Sequence, residues 1–157
     1  MRNPSPNASG LAFLVLLATT ALWWLPSASS IYHNVGGSHG WSLPPNQTFF
    51  QDWAKPRVFG VEDSLLFPFR SAVYNVVEVE KESFDGCKND KVIAMYTRGP
   101  LILNFTQPGD HYYYSGIGIQ CELGMKLHIT VVAGKGNSGR SRNLLSDHDH
   151  DDVEMQL

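Results

Sequence analysis

Cysteine is nearly absent from this chain. Cys87 and Cys121 are the only two in 157 residues, too few to build a zinc site by themselves. Excess positive charge is missing as well. Twelve Lys and Arg stand against fifteen Asp and Glu, for a net charge of −3, so there is no basic footprint for nucleic acid. The apolar run Leu11–Leu25 falls short of the roughly 20 residues that span a bilayer, so no transmembrane segment is expected. The sequence contains no nucleophile elbow, phosphate loop or H-E-x-x-H pair, and it is read as non-enzymatic. It also lacks internal repeats and any long amphipathic helix.

What is present supports one folded domain. Apolar residues make up 43% and charged residues 17%, a balance that gives a chain of this length a real core. Residues 1–30 have the layout of a secretory signal peptide. Arg2 precedes the apolar run, and Ala28 and Ser30 occupy the small-residue positions for cleavage after Ser30. Export through an oxidising lumen makes a Cys87–Cys121 disulfide the expected state. A bridge closing a loop of that length stabilises by roughly 3–4 kcal/mol on a loop-entropy estimate. The sequons Asn46-Gln47-Thr48 and Asn104-Phe105-Thr106 make Asn46 and Asn104 candidate glycan sites, while Asn7-Ala8-Ser9 lies in the leader.

From Ile31 to Val132 short apolar stretches alternate with turn residues. Ser64–Phe69, Tyr74–Glu80, Leu101–Phe105, Tyr112–Ser115 and Met125–Val132 read as strands. In the last, Leu127, Ile129 and Val131 alternate with Lys126, His128 and Thr130, giving one buried and one wet face. Breaks fall at Gly36-Gly37, Pro44-Pro45, Gly99-Pro100 and Pro108-Gly109, and one short helical turn is expected between Lys81 and Asp90. Many short strands at this spacing indicate an all-β antiparallel sandwich or barrel. The domain is placed at residues 31–133. Residues 134–157, rich in Gly, Ser, Asn, Asp and His, are expected to form a disordered polar tail without a glycolipid-anchor signal.

Several segments, in order, resemble the phytocyanins, plant cupredoxins that include stellacyanins, uclacyanins and early nodulin-like proteins. They are Val35-Gly36-Gly37 with Gly40-Trp41, the strand Val61-Glu62-Asp63-Ser64-Leu65-Leu66-Phe67, Asn75-Val76-Val77-Glu78-Val79, and Phe84-Asp85-Gly86-Cys87. Tyr96-Thr97-Arg98-Gly99, Pro108-Gly109-Asp110-His111-Tyr112-Tyr113-Tyr114 and Cys121-Glu122-Leu123-Gly124-Met125-Lys126-Leu127 complete the set. The resemblance implies a Greek-key cupredoxin β-sandwich that retains both disulfide positions. It also implies a copper held by two His, one Cys and an axial Met or Gln. Here the first His position corresponds to Tyr74, the Cys to Ser115 and the second His to Gln120. Only the axial position matches, as Met125.

A type-1 site needs the soft thiolate, and a serine hydroxyl does not replace it. No cofactor is therefore expected, copper included. Tyr74, Ser115, Gln120 and Met125 either form a polar-aromatic depression able to bind a ligand or plug the vacated site. Met125 also reads as an ordinary core residue. His33, His39, His111 and His128 read as solvated surface residues. The run Asp147-His148-Asp149-His150-Asp151-Asp152 reads as an acidic tail, with loose divalent-metal binding as its alternative. Among Tyr112, Tyr113 and Tyr114, strand alternation is expected to expose part of the set.

The leading functional expectation is a secreted, non-catalytic module of the apoplast, cell wall or outer face of the plasma membrane. The resemblance implies cell-wall glycans, arabinogalactan-type polymers or receptor ectodomains as partners. Blue-copper electron transfer is the alternative.

Overall fold

A computed structural model describes residues 30–139. The expected leader as far as Ser29, the sequon at Asn7 and the acidic run at 147–152 lie outside the described residues.

Two sheets face each other. In the three-stranded sheet β3 (Ser64–Phe67) lies between β1 (Tyr32–Asn34), parallel to it, and β6 (Leu101–Asn104), antiparallel to it. The five-stranded sheet contains β2 (Phe59–Gly60), β4 (Val76–Val79), β5 (Val92–Tyr96), β7 (Gly109–Tyr114) and β8 (Lys126–Val132), in the order β2-β8-β7-β4-β5. Only β2 and β8 pair in parallel there. The period-2 pattern of β8 sets its orientation: Leu127, Ile129 and Val131 are buried, and the intervening residues are not. The core between the sheets is aromatic. Phe67 and Tyr113 meet across it with ring centroids 5.3 Å apart, and Trp41 packs on Phe50 at 4.6 Å and on Phe67 at 5.1 Å.

The expected all-β sandwich is present, with corrections. Among the described residues two helices form rather than one, α1 (Phe49–Ala54) and α2 (Lys81–Gly86). α1 turns Phe50 and Ala54, four residues apart, into the core. β1, β2 and β5 add to the five strands read from the sequence. The tyrosine run is more buried than simple alternation allows. Tyr113 faces the main core while Tyr114, on the opposite face, is equally enclosed, and Tyr112 is half-buried. A second cluster accounts for this. Val77, Val79, Tyr114 and Cys121 pack there with Phe84 of α2, Cys87 and Tyr112. The Cys87–Cys121 disulfide ties this outer layer together, with Cα atoms 5.8 Å apart.

The ordered chain continues past residue 133. Asn137 and Val58 exchange backbone hydrogen bonds of 2.6 and 3.0 Å, so residues 134–139 run along the β2 side as a strap. No helix among the described residues is long and apolar enough to cross a membrane.

Candidate functional site

The ends of β4 and β7 and the turn before β8 bring the candidate residues together. Ser115 follows β7, is fully buried, and donates its hydroxyl to Gln120 Oε1 at 2.6 Å. Its longer contact, 3.2 Å, is to Asn75 Oδ1, which also accepts the Gly116 N–H at 2.8 Å. Gln120 spends its amide on the Val73 carbonyl at 3.3 Å. Backbone bonds complete the knot: Ser115 N–H to the Met125 carbonyl at 3.0 Å, and Met125 N–H to the Gln120 carbonyl at 2.9 Å. Gly124 makes that turn possible. Its φ is +97°, and a Cβ there would lie 2.4 Å from Gln47 Cα.

Of the four sequence candidates, Ser115 and Gln120 are in direct contact, and Met125 is joined to both through the backbone. The Met125 side chain is fully buried in the main core. Tyr74 stands apart. Its ring packs on the core and lines a neighbouring surface depression of about 510 Å³, with His39, Trp41, Phe69, Arg70 and Pro100 among its other walls. Ser115, Gln120 and Met125 are bonded to one another, and the depression is lined by Tyr74 and not by those three.

The organiser of this region is Asn75, which the sequence shows only as the first residue of an apolar stretch. Its side chain serves Ser115 and Gly116, and its carbonyl accepts the Trp41 indole N–H at 2.8 Å. The sequence carries no sign that Asn75 is buried ahead of Val76–Val79, and only that burial makes its amide need partners.

The histidines divide. His33, expected at the surface, is only 2% exposed, with Nε2 3.0 Å from Asp63 Oδ2. A hydrophobic strand position sends it inward against Phe59, at 4.6 Å. His39 is exposed, its Nε2 3.0 Å from both the Leu43 carbonyl and Ser42 Oγ. His111 is half-buried, with Nδ1 3.0 Å from Glu78 Oε1. His128 stacks on Tyr112 at 4.5 Å and lies 3.0 Å from Asp110 Oδ1. The Asp110 carboxyl is held below its ordinary range by the Thr130 hydroxyl first and by His128 second.

Both sequon asparagines are exposed. Asn46 Oδ1 accepts from Thr48 N–H and Oγ, each at 3.1 Å, and Asn104 Oδ1 accepts from Ser64 Oγ at 2.7 Å.

Known proteins agree with this architecture. A plastocyanin-like domain family model matches residues 41–125. The cucumber peeling cupredoxin of Cucumis sativus is 39% identical over 108 residues, covering 66% of this chain and 77% of that protein. Early nodulin-like protein 14 of Arabidopsis thaliana is 31% identical over 128 residues, covering 80% and 69%. Among solved structures, cucumber stellacyanin with Cu2+ at pH 7.0 superposes with a TM-score of 0.61 at 38% identity, over 68% of this chain and 99% of that one. The strand order, the disulfide and these likenesses converge on one assignment: the chain belongs to the phytocyanins, the plant cupredoxins of the plastocyanin-like family.

Proposed function

We propose that this protein is a secreted, non-catalytic cell-surface or cell-wall module that does not form a type-1 copper centre. The observation that carries the reading is the Ser115–Gln120 hydrogen bond, at 2.6 Å. Blue-copper chemistry needs a thiolate, two imidazoles and a weak axial donor. At the corresponding positions this chain offers a buried hydroxyl already donating to a neighbour, a phenol turned to a different depression, an amide with both ends engaged, and a core thioether. Both cysteines are committed to the disulfide, so no thiolate is free. This donor set does not fit copper of that type.

The depression beside Tyr74 is the surface through which we propose it binds. Aromatic rings with the exposed Arg70 and His39 at its walls suit the faces and acidic groups of cell-wall glycans such as arabinogalactan-type polymers, with receptor ectodomains as the alternative partner class. The sequons at Asn46 and Asn104 and the leader fit a secreted glycoprotein of the apoplast or outer cell surface.

Copper titration of the mature protein, followed by metal analysis, visible absorption and paramagnetic resonance, tests the reading. The expected result is no stoichiometric blue species. Electron transfer is the second reading, favoured by relatives such as the blue copper protein of Arabidopsis thaliana, 32% identical over 107 residues. An intense blue band would establish it. For the binding role, a glycan array and apoplastic pull-down should give signals that Tyr74→Ala and Arg70→Ala remove. Silence in both would leave a purely structural role.

A further inference from the structure

The most enclosed carboxylate described lies at the other end of β3 from the depression. Asp63 is 1% exposed, one residue before β3, and meets three N–H groups. Its Oδ1 accepts from the Ile31 nitrogen at 2.9 Å, and its Oδ2 accepts from the Gly60 N–H at 2.9 Å and lies 3.0 Å from His33 Nε2. No lysine or arginine head group pairs with it among the described residues. The strap seals it from the other side, since a Cβ on Gly136 would fall 1.8 Å from Asp63 Oδ2.

The His33 ring does not supply the missing charge comfortably. With its Nε2 proton on Asp63, the neutral ring leaves Nδ1 as a bare acceptor, and that buried atom has no partner. Charging the ring would add a buried N–H there with nothing to receive it. The carboxylate is thus held by neutral donors, an expensive arrangement for a charge removed from water. One of those donors, Ile31, is the residue that follows the leader's cleavage position.

We propose that removal of the leader between Ser30 and Ile31 creates an ion pair between the new, part-buried α-ammonium of Ile31 and the buried Asp63 carboxylate. A secretory-pathway peptidase breaks the Ser30–Ile31 amide bond with one water. The hydroxyl joins the Ser30 carbonyl carbon, and the released Ile31 amine takes the remaining proton and a further one from solvent. A neutral amide N–H already 2.9 Å from Asp63 Oδ1 becomes a cationic donor in place. The cleavage position is then a structural requirement. Each residue retained in front of Ile31 would move the ammonium about 3.3–3.6 Å along the chain and put an amide back on Asp63. This inference does not depend on the copper or glycan readings, and it converts the leader boundary into part of the fold.

The test uses protein secreted from the full-length precursor. Its amino-terminal residue, read by mass spectrometry, should be Ile31; a Ser29 or Ser30 start overturns the proposal. The terminal amine should react with an acylating reagent near neutral pH at least tenfold more slowly than the same amine on an unfolded peptide of that sequence. Reaction at the peptide rate also overturns it. Asp63→Asn, provided its β-sheet signal is intact, should bring the two rates together. Where that variant does not fold, the wild-type protection factor and terminal residue still decide.

Discussion

Ser115 Oγ lies 2.6 Å from Gln120 Oε1, so two positions that the family resemblance equates with copper ligands bond to each other here. That contact is internal and satisfied. Nothing in it waits for a ligand.

Ser115→Ala removes the donor and leaves Gln120 Oε1 facing a buried methyl group. The loss should be about 0.5–1.5 kcal/mol, the net worth of a hydrogen bond whose acceptor is only part-buried. Denaturant unfolding measures it. An unchanged midpoint would mean that water replaces the hydroxyl and that the knot contributes little.

Restoring copper should require all three lost donors together. Ser115→Cys alone leaves Tyr74 and Gln120 in place, so it should remain colourless with Cu2+. Tyr74→His, Ser115→Cys and Gln120→His combined should give the intense charge-transfer band of a copper–thiolate bond. Visible titration separates the two, and a blue single variant would show that the imidazoles are dispensable.

Alkaline pH should unfold the domain through its tyrosines. Tyr113 and Tyr114 are raised by burial first, with Glu78 and Asp90 respectively adding to it, and Tyr96 is raised by burial and then Glu78. In each case the folded value exceeds the unfolded one. The stability they contribute is complete below about pH 10 and is lost as pH rises further, because the unfolded chain releases protons that the folded chain retains. Phenolate absorption from these residues should therefore appear together with loss of the β-sheet circular dichroism signal. Ionisation of all three in an intact sheet would contradict the expected coupling.

Reducing Cys87–Cys121 should cost roughly 3–4 kcal/mol, since the bridge closes a long loop. It also ties α2 to the turn that carries Gln120. Thermal unfolding with and without reductant gives the value. A smaller shift than Ser115→Ala produces would place the main restraint in the packing of Phe84 and Tyr114.

The sequence announced much of this. β8 was legible because seven residues alternate against one core. The disulfide was expected from two cysteines behind an expected leader. β1 and β2, three and two residues long, are too short to show a period. β5 hides its character differently: Ile93 and Met95 point outward at 62% and 53% exposure, so its apolar residues do not mark a buried face. α1 is a six-residue stretch of three aromatics between prolines, with one turn and a half of helix and no propensity signal. At the site, the four family positions were readable, but the closed bond between Ser115 and Gln120 was not. Nor were the role of Asn75 and the inward turn of His33. Those depend on which residues from distant elements meet, and local periodicity carries no record of that.

The indole of Trp41 joins two regions that are separate in sequence. It is fully buried, lies beneath the Tyr74 depression, and hydrogen-bonds the backbone of Asn75. Trp23 and Trp24 fall in the expected leader, and among the described residues the tryptophans are Trp41 and Trp53. Trp53 carries the Arg57 guanidinium 4.4 Å over its ring. The protein thus contains its own optical probe: occupancy of the depression is expected to alter Trp41 emission without any label, and Trp53→Phe isolates that signal.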